Sequence, residues 1–237
     1  MIRDAKPGLV LIPGLLCDSL LWDAQIAALD SHAACWVADH TRSDTMAAVA
    51  ADVLREAPFE RFALAGLSMG GYVALEIMRQ NARRVNRLAL LDTSARADTP
   101  EQLQKRRGLI ALAKRGRFMG VTQGLLPLFI HPNRLRDEKL VTTIREMSRN
   151  IGRDAFIRQE EAIMSRADSL PLLSSIACPT LVLCGRQDAV APLDRHEEMA
   201  AGISGATLEV IEDCGHLSTL ERPAEVSDAL KRWLSAG

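Results

Sequence analysis

Six short runs of this chain are apolar almost without interruption: 8–12 (GLVLI), 34–38 (ACWVA), 61–66 (RFALAG), 87–92 (RLALLD), 180–185 (TLVLCG) and 206–211 (ATLEVI). A strand with one wet face alternates apolar and polar residues; a strand apolar throughout is buried on both faces, as in parallel sheets. Stretches with helical periodicity separate the runs. Asp18 and Ser19 precede Leu20, Leu21, Ile26 and Leu29; Ser43 and Asp44 precede 46–55; 69–80 follows a tight glycine turn; and 223–234 closes the chain. Strands alternating with helices imply an α/β fold, a mostly parallel sheet of about six strands covered on both faces.

The alternation stops after Asp92. From 95 to 176 only helical periodicity is present, with candidate helices over 100–115, 118–128, 136–150 and 154–167, and breaks at Gly116, Gly120, Pro127, Pro132 and Gly152. This predicts a core built from 1–94 and 177–237, with 95–176 inserted as a helical cap over one end of the sheet. The cap has fifteen Lys/Arg and nine Asp/Glu, a net of +6, against −7 for the remainder. Two readings are open for that asymmetry: a solvated helical surface, or a basic lid that draws an anionic substrate to the cleft.

Composition narrows the function. The net charge of −1 gives no global footprint for nucleic acid, and aromatics form only 4% of the chain, so a base-stacking platform is not expected. No apolar run approaches the ~20 residues of a membrane span, so no membrane partner is expected. The opening MIRDAKPG lacks the apolar stretch of a secretory signal. Cys17, Cys35, Cys178, Cys184 and Cys214 are odd in number and form no CxxC pair. These read as reduced thiols in a cytoplasmic protein, with no metal site and no cofactor expected.

The chemistry is concentrated in a few positions. Gly66-Leu67-Ser68-Met69-Gly70 lies directly after one expected strand and directly before an expected helix. The pentapeptide pattern alone is weak, but this context is that of a nucleophile elbow, where a tight turn raises a serine hydroxyl above the sheet edge. A serine hydroxyl needs a base and an orienting acid. Asp188 follows the strand 180–185, and His216 follows the strand 206–211, in the chain order Ser, Asp, His. Asp92, at the end of the strand after the nucleophile helix, is the alternative acid. An acyl-transfer site also needs backbone N–H donors for an oxyanion. Met69, after the serine, and Leu15, in the loop Pro13-Gly14-Leu15-Leu16-Cys17, are expected to supply them. Leu16, Phe129 and His131 are expected to face the substrate. His32, His40 and His196 read as surface or packing residues, His196 exposed on a helix.

These motifs identify the chain as resembling the α/β-hydrolase superfamily, in its compact lidded branch of esterases, enol-lactonases, C–C bond hydrolases and cofactor-free perhydrolases. The resemblance rests on the Pro13-Gly14 loop, Gly66–Gly71, Gly185-Arg186-Gln187-Asp188 with Pro192, and Gly215-His216 with Glu221-Arg222-Pro223. It implies a serine-hydrolase mechanism with Ser68, Asp188 and His216 as triad. Many relatives carry histidine where this chain has Pro13, so the oxyanion loop must be supported differently. The leading expectation is hydrolysis of a small carboxylic ester or lactone, carboxylate-bearing on the basic-lid reading of the cap. The alternatives are C–C cleavage of a ring-fission diketone acid, perhydrolysis, or a ligand-binding protein on the same fold.

Overall fold

The computed structural model of the protein describes residues 6–235. Every apolar run is a strand: β1 Gly8–Ile12, β2 Ala34–Val37, β3 Phe62–Leu67, β4 Val85–Leu91, β5 Thr180–Gly185 and β6 Thr207–Ile211. They form one sheet in the order β2-β1-β3-β4-β5-β6, with every neighbouring pair parallel. β1, β3 and β5 are buried along their whole length, whereas the edge strands β2 and β6 are only partly covered. The runs without polar alternation are therefore those with helices on both faces.

The principal helices are α1 Asp23–Leu29, α2 Met46–Glu56, α3 Met69–Asn81, α4 Pro100–Lys114, α5 Glu138–Met164, α6 Leu193–Gly202 and α7 Pro223–Ser235. Successive side chains of a strand point to opposite faces, and the core divides accordingly. Leu9, Leu11, Ala65 and Leu183 pack with Leu29 of α1 and with Val226, Leu230 and Trp233 of α7. Val10, Ile12, Leu64 and Val182 pack with Val49 and Val53 of α2, Val73 and Ile77 of α3, and Met199 of α6.

Between β4 and β5 the described residues contain helices and turns only. α4 opens with a capping box: Gln102 N–H donates to Thr99 Oγ1 (3.3 Å), and Thr99 N–H donates to Gln102 Oε1 (2.8 Å). The two helices expected over 136–150 and 154–167 are limbs of α5, joined through Gly152, whose φ of 72° interrupts the helical geometry. The helix expected over 118–128 is a correction. Only Leu126–Phe129 is helical, because Gly120 adopts φ 61° and Val121 N–H donates to Ser148 Oγ (3.0 Å) instead of continuing a helix. The Phe118 ring packs on Phe156, centroids 5.2 Å apart, which fixes this segment against α5.

Candidate active site

Parallel strands bring their C-terminal ends to one edge, and the loops that leave them meet there. Strain gathers at the same edge. Among the described residues, the four non-glycine residues at positive φ are Leu16 after β1, Ser68 after β3, Asp92 after β4 and Asp213 after β6. β3 ends at Leu67 and α3 begins at Met69, so Ser68 alone makes the turn, with φ 56° and ψ −116°. Such a conformation costs ~1–3 kcal/mol and persists only where its surroundings enforce it. Here they do. A Cβ on Gly66 would overlap the Gly70 carbonyl, and one on Gly70 would overlap the Ile12 carbonyl, so strand and helix approach only as glycine backbones.

The elbow is also held from behind. Thr93 Oγ1 donates to the Ser68 carbonyl (2.7 Å), and Thr93 N–H donates to His196 Nε2 (2.9 Å). His196 does lie on α6, but it is fully buried against this support, which corrects the expectation that it is exposed. Burial lowers its pKa to about 4, so it remains a neutral acceptor.

Ser68 Oγ lies 2.9 Å from His216 Nε2, and His216 Nδ1 lies 2.8 Å from Asp188 Oδ2. The other Asp188 oxygen accepts from the Val190 and Ala191 N–H groups, at 2.8 and 2.9 Å. A carboxylate at Nδ1 requires the proton there, which leaves Nε2 free to accept from the serine hydroxyl. Burial alone would lower the His216 pKa; the Asp188 carboxylate, reinforced by Asp92 and Glu221, more than offsets that and raises it above the ordinary 6.5.

Asp92 is fully buried and makes its hydrogen bonds elsewhere. Its Oδ1 accepts from Gly185 N–H (3.0 Å), and its Oδ2 is hydrogen-bonded to the Ser218 hydroxyl. Burial first, then the nearby Asp188 charge, push its pKa well above the carboxylate range.

The loop after β1 faces Ser68. Cys17 N–H donates to the Gly14 carbonyl (3.1 Å) and Leu16 N–H to Gln159 Oε1 of α5 (3.2 Å), which leaves the Leu15 N–H of that loop without such a partner. The support that Pro13 does not give comes from two residues the sequence did not single out for it. His40 Nε2 lies 3.0 Å from the Gly14 carbonyl oxygen and 3.0 Å from Gln159 Nε2. No spacing signal links residues this far apart in the chain.

These residues open on a cavity of about 540 Å³. Ser68, His216, Leu15, Leu16 and Phe129 line it, together with Phe118 and Phe156. His131 is a correction: it does not line the cavity, because its Nδ1 accepts from Asn133 N–H (3.2 Å) and the residue is packed beneath the His216 loop. Its N–H and that of Gly215 both donate to the Glu221 carboxylate, at 2.6 and 2.9 Å. Phe129 contributes its carbonyl as well, accepting from the His216 and Leu217 N–H groups at 3.0 Å each. Arg106 is the cavity's buried-side cation, and Asp98 (2.6 Å) and Glu160 (2.7 Å) pair with it.

Glu221 carries a consequence for stability. Its burial raises its pKa from the ordinary 4.5 to about 7 against the two N–H donors, which lower it. Ionisation therefore costs the folded state more than the unfolded one. The contribution of this group is fully present below pH 4.5 and lost as pH rises through about 7. Glu221→Gln should flatten the stability profile across that window, measured as the urea midpoint at each pH, and lower stability at its acid end because one N–H donor then meets an amide N–H.

The family model for the alpha/beta hydrolase fold matches residues 7–223. Among solved structures, the chain resembles a thermophilic esterase from Thermogutta terrifontis with malate bound, at 30% identity and TM-score 0.89, covering 97% of this chain and 90% of that one. It also resembles the enol-lactonase from Burkholderia xenovorans LB400, at 26% identity and TM-score 0.88, covering 100% and 94%. A curated relative, the 2-hydroxy-6-oxononadienedioate/2-hydroxy-6-oxononatrienedioate hydrolase of Klebsiella pneumoniae, is 26% identical over 82% of this chain and 69% of its own. Sheet order, elbow and family match agree, and the chain belongs to the alpha/beta hydrolase fold family.

Proposed function

We propose that the protein hydrolyses a small carboxylic ester or lactone through an acyl-Ser68 intermediate. The observation that carries this reading is the hydrogen-bonded line from Ser68 Oγ through His216 to Asp188, opening on the 540 Å³ cavity. Ser68 Oγ attacks the carbonyl carbon while His216 Nε2 takes the hydroxyl proton. The carbonyl oxygen, now an oxyanion, is held by the N–H groups of Leu15 and Met69, and each such donor is worth ~10²–10³ in rate. The C–O bond to the leaving alkoxide then breaks as His216 returns its proton. Water, deprotonated by His216, attacks the acyl carbon, releases the acid and restores the Ser68 hydroxyl. Asp188 holds the imidazole tautomer and offsets the charge of the transient imidazolium.

The segment 95–176 is proposed as the cap that shapes this cavity over the core of 1–94 and 177–237. The Arg106 charge is matched by Asp98 and Glu160, so the enclosed part of the cavity suits an uncharged acyl or ring group. Lys105 and Arg117 also line the cavity and are exposed, which supports a reading in which a substrate carboxylate is drawn to its mouth. An anionic p-nitrophenyl hemiester should therefore show a several-fold higher kcat/KM than its neutral analogue at low salt, and the advantage should fade as ionic strength rises. Equal values with no salt dependence would remove the carboxylate from the proposal.

C–C cleavage is the second reading, favoured by the name of the Klebsiella relative, whose substrate carries two carboxylates. It would use the same three residues. Stopped-flow mixing with p-nitrophenyl acetate should give a burst close to one equivalent, with the acyl group found on Ser68 by mass spectrometry. A ring-fission dioate turned over faster than every ester and lactone in a panel would decide for C–C cleavage. The acid limb of kcat/KM should lie above pH 6.5, since neutral His216 is required and its pKa is raised. His216→Ala removes that limb together with the activity.

A further inference from the structure

Scattered exposed leucines are ordinary on a soluble surface; a cluster of them is not. Among the described residues the large hydrophobic side chains that stand exposed are Leu109, Leu112, Met119, Leu125, Leu128 and Val190, and all six line the one cavity that contains Ser68. Met119 is the extreme case, 79% exposed. They come from three separate pieces of chain: α4, the stretch that runs from Met119 into the short helix Leu126–Phe129, and the loop after β5. On α4 the spacing builds one stripe, since Gln102, Lys105, Leu109 and Leu112 recur at intervals of three and four and all line the cavity. The mouth thus has an apolar collar larger than a small ester needs.

The charge at that mouth has a single sign. Lys105 and Arg117 line it, are exposed and form no salt bridge among the described residues, although the Lys105 charge is felt by Glu160. The acid on the lining, Glu160, is buried and paired with Arg106. A second copy of the chain docked face to face would set these cations against their own equivalents, which opposes self-association. An apolar collar with cations beside it matches a surface that offers acyl chains below a layer of negative headgroups.

We propose that the cavity mouth docks on an anionic lipid bilayer surface, with Leu109, Leu112, Met119, Leu125, Leu128 and Val190 in the interface and Lys105 and Arg117 on the headgroups. No helix among the described residues is long and apolar enough to cross a membrane, so the contact is peripheral. The sequence expectation of no membrane partner rested on the absence of a span, which peripheral contact does not require. Docking is independent of the hydrolase reading, because the collar does not involve the Ser68 hydroxyl.

The test is sedimentation of the full chain, as Ser68→Ala so that no lipid is turned over, with vesicles of phosphatidylcholine alone and of phosphatidylcholine with an equal part of phosphatidylglycerol. Binding should favour the anionic vesicles and weaken with salt. Lys105→Gln with Arg117→Gln should lower partitioning to them by about 25-fold, at about fivefold for each cation near the surface. Leu112→Ser with Met119→Ser should lower it about tenfold, and Leu125→Ser with Leu128→Ser is the second apolar pair should the first not fold. Sedimentation with neither vesicle, or binding that the charge and apolar variants leave unchanged, would overturn the proposal. So would light scattering that shows a dimer dissociated by the apolar substitutions, because the collar would then belong to a second copy. A parent enzyme with Ser68 intact that hydrolyses no ester or lactone, beside retained sedimentation, would sink the ester reading and leave the docking surface standing.

Discussion

Ser68→Ala is expected to lower kcat for an activated ester by about 10⁴–10⁶-fold while the protein remains folded. The loss is this large because the hydroxyl is the proposed attacking atom and no other nucleophile shares its position. Cys17, in the loop after β1, also lines the cavity, but burial pushes its thiol up to about 12, so it is a thiol and not a thiolate at neutral pH. The fold should survive because Gly66 and Gly70 set the turn, not the hydroxyl, and because alanine meets the same φ of 56° without adding bulk. The melting temperature should stay within a few degrees of the parent. His216→Ala added to Ser68→Ala should cost almost nothing more, since the base has no proton to take once the hydroxyl is gone. A single mutant that retains a tenth of the parent activity, or a double mutant much worse than either single one, would mean that another group performs the attack.

The parts of this molecule legible in its sequence are those governed by local pattern. Apolar runs marked all six strands, most clearly the central ones, where parallel pairing between two helical layers leaves no polar face. Gly66 and Gly70 marked the elbow because the close approach of β3, α3 and β1 tolerates no side chain there. Ser68, Asp188 and His216 could be named because each follows a strand in chain order, and the structure places their side chains within hydrogen-bonding distance. What escaped were contacts between residues far apart in the chain. Gln159 reaches Leu16 across 143 residues, and Thr93 reaches His196 across 103. A polar residue on a helix carries no mark of the loop it will meet. His131 was misplaced for a related reason. A histidine in the insertion suggests a pocket, yet its ring caps a local turn and its N–H serves Glu221. The helix expected over 118–128 failed because apolar periodicity continued through Gly120, whose positive φ ended it.

Asp188 and Asp92 are both buried near His216, and their amide replacements should behave oppositely. Asp188→Asn is expected to lower kcat about 10⁴-fold. Its Oδ1 would still accept from the Val190 and Ala191 N–H groups, which turns the amide NH₂ towards His216. Nδ1 must then accept, Nε2 carries the proton, and the imidazole points a donor at Ser68 when an acceptor is needed. Asp92→Asn should leave kcat within about tenfold of the parent. Burial and the Asp188 charge push the Asp92 pKa well above the ordinary carboxylate value, which favours its neutral form. Asparagine keeps the acceptor for Gly185 N–H, and its NH₂ can donate to Ser218 Oγ once that hydroxyl, which donates to Asp92 in the parent, turns away; only the long Ser218 N–H contact (3.4 Å) is lost. Asp92→Ala should instead destabilise the fold, at ~1–3 kcal/mol for each buried partner left unsatisfied. It would do so without moving the acid limb far, because the ion pair at Nδ1 is intact. Measured kcat for the two asparagine variants at pH 7 to 8 separates the roles. Equal losses of several orders of magnitude would make Asp92 a charged partner in the reaction; a large loss at Asp188 alone assigns the acid to the loop after β5 and leaves Asp92 as the buried tie between the ends of β4 and β5 and the segment that follows His216.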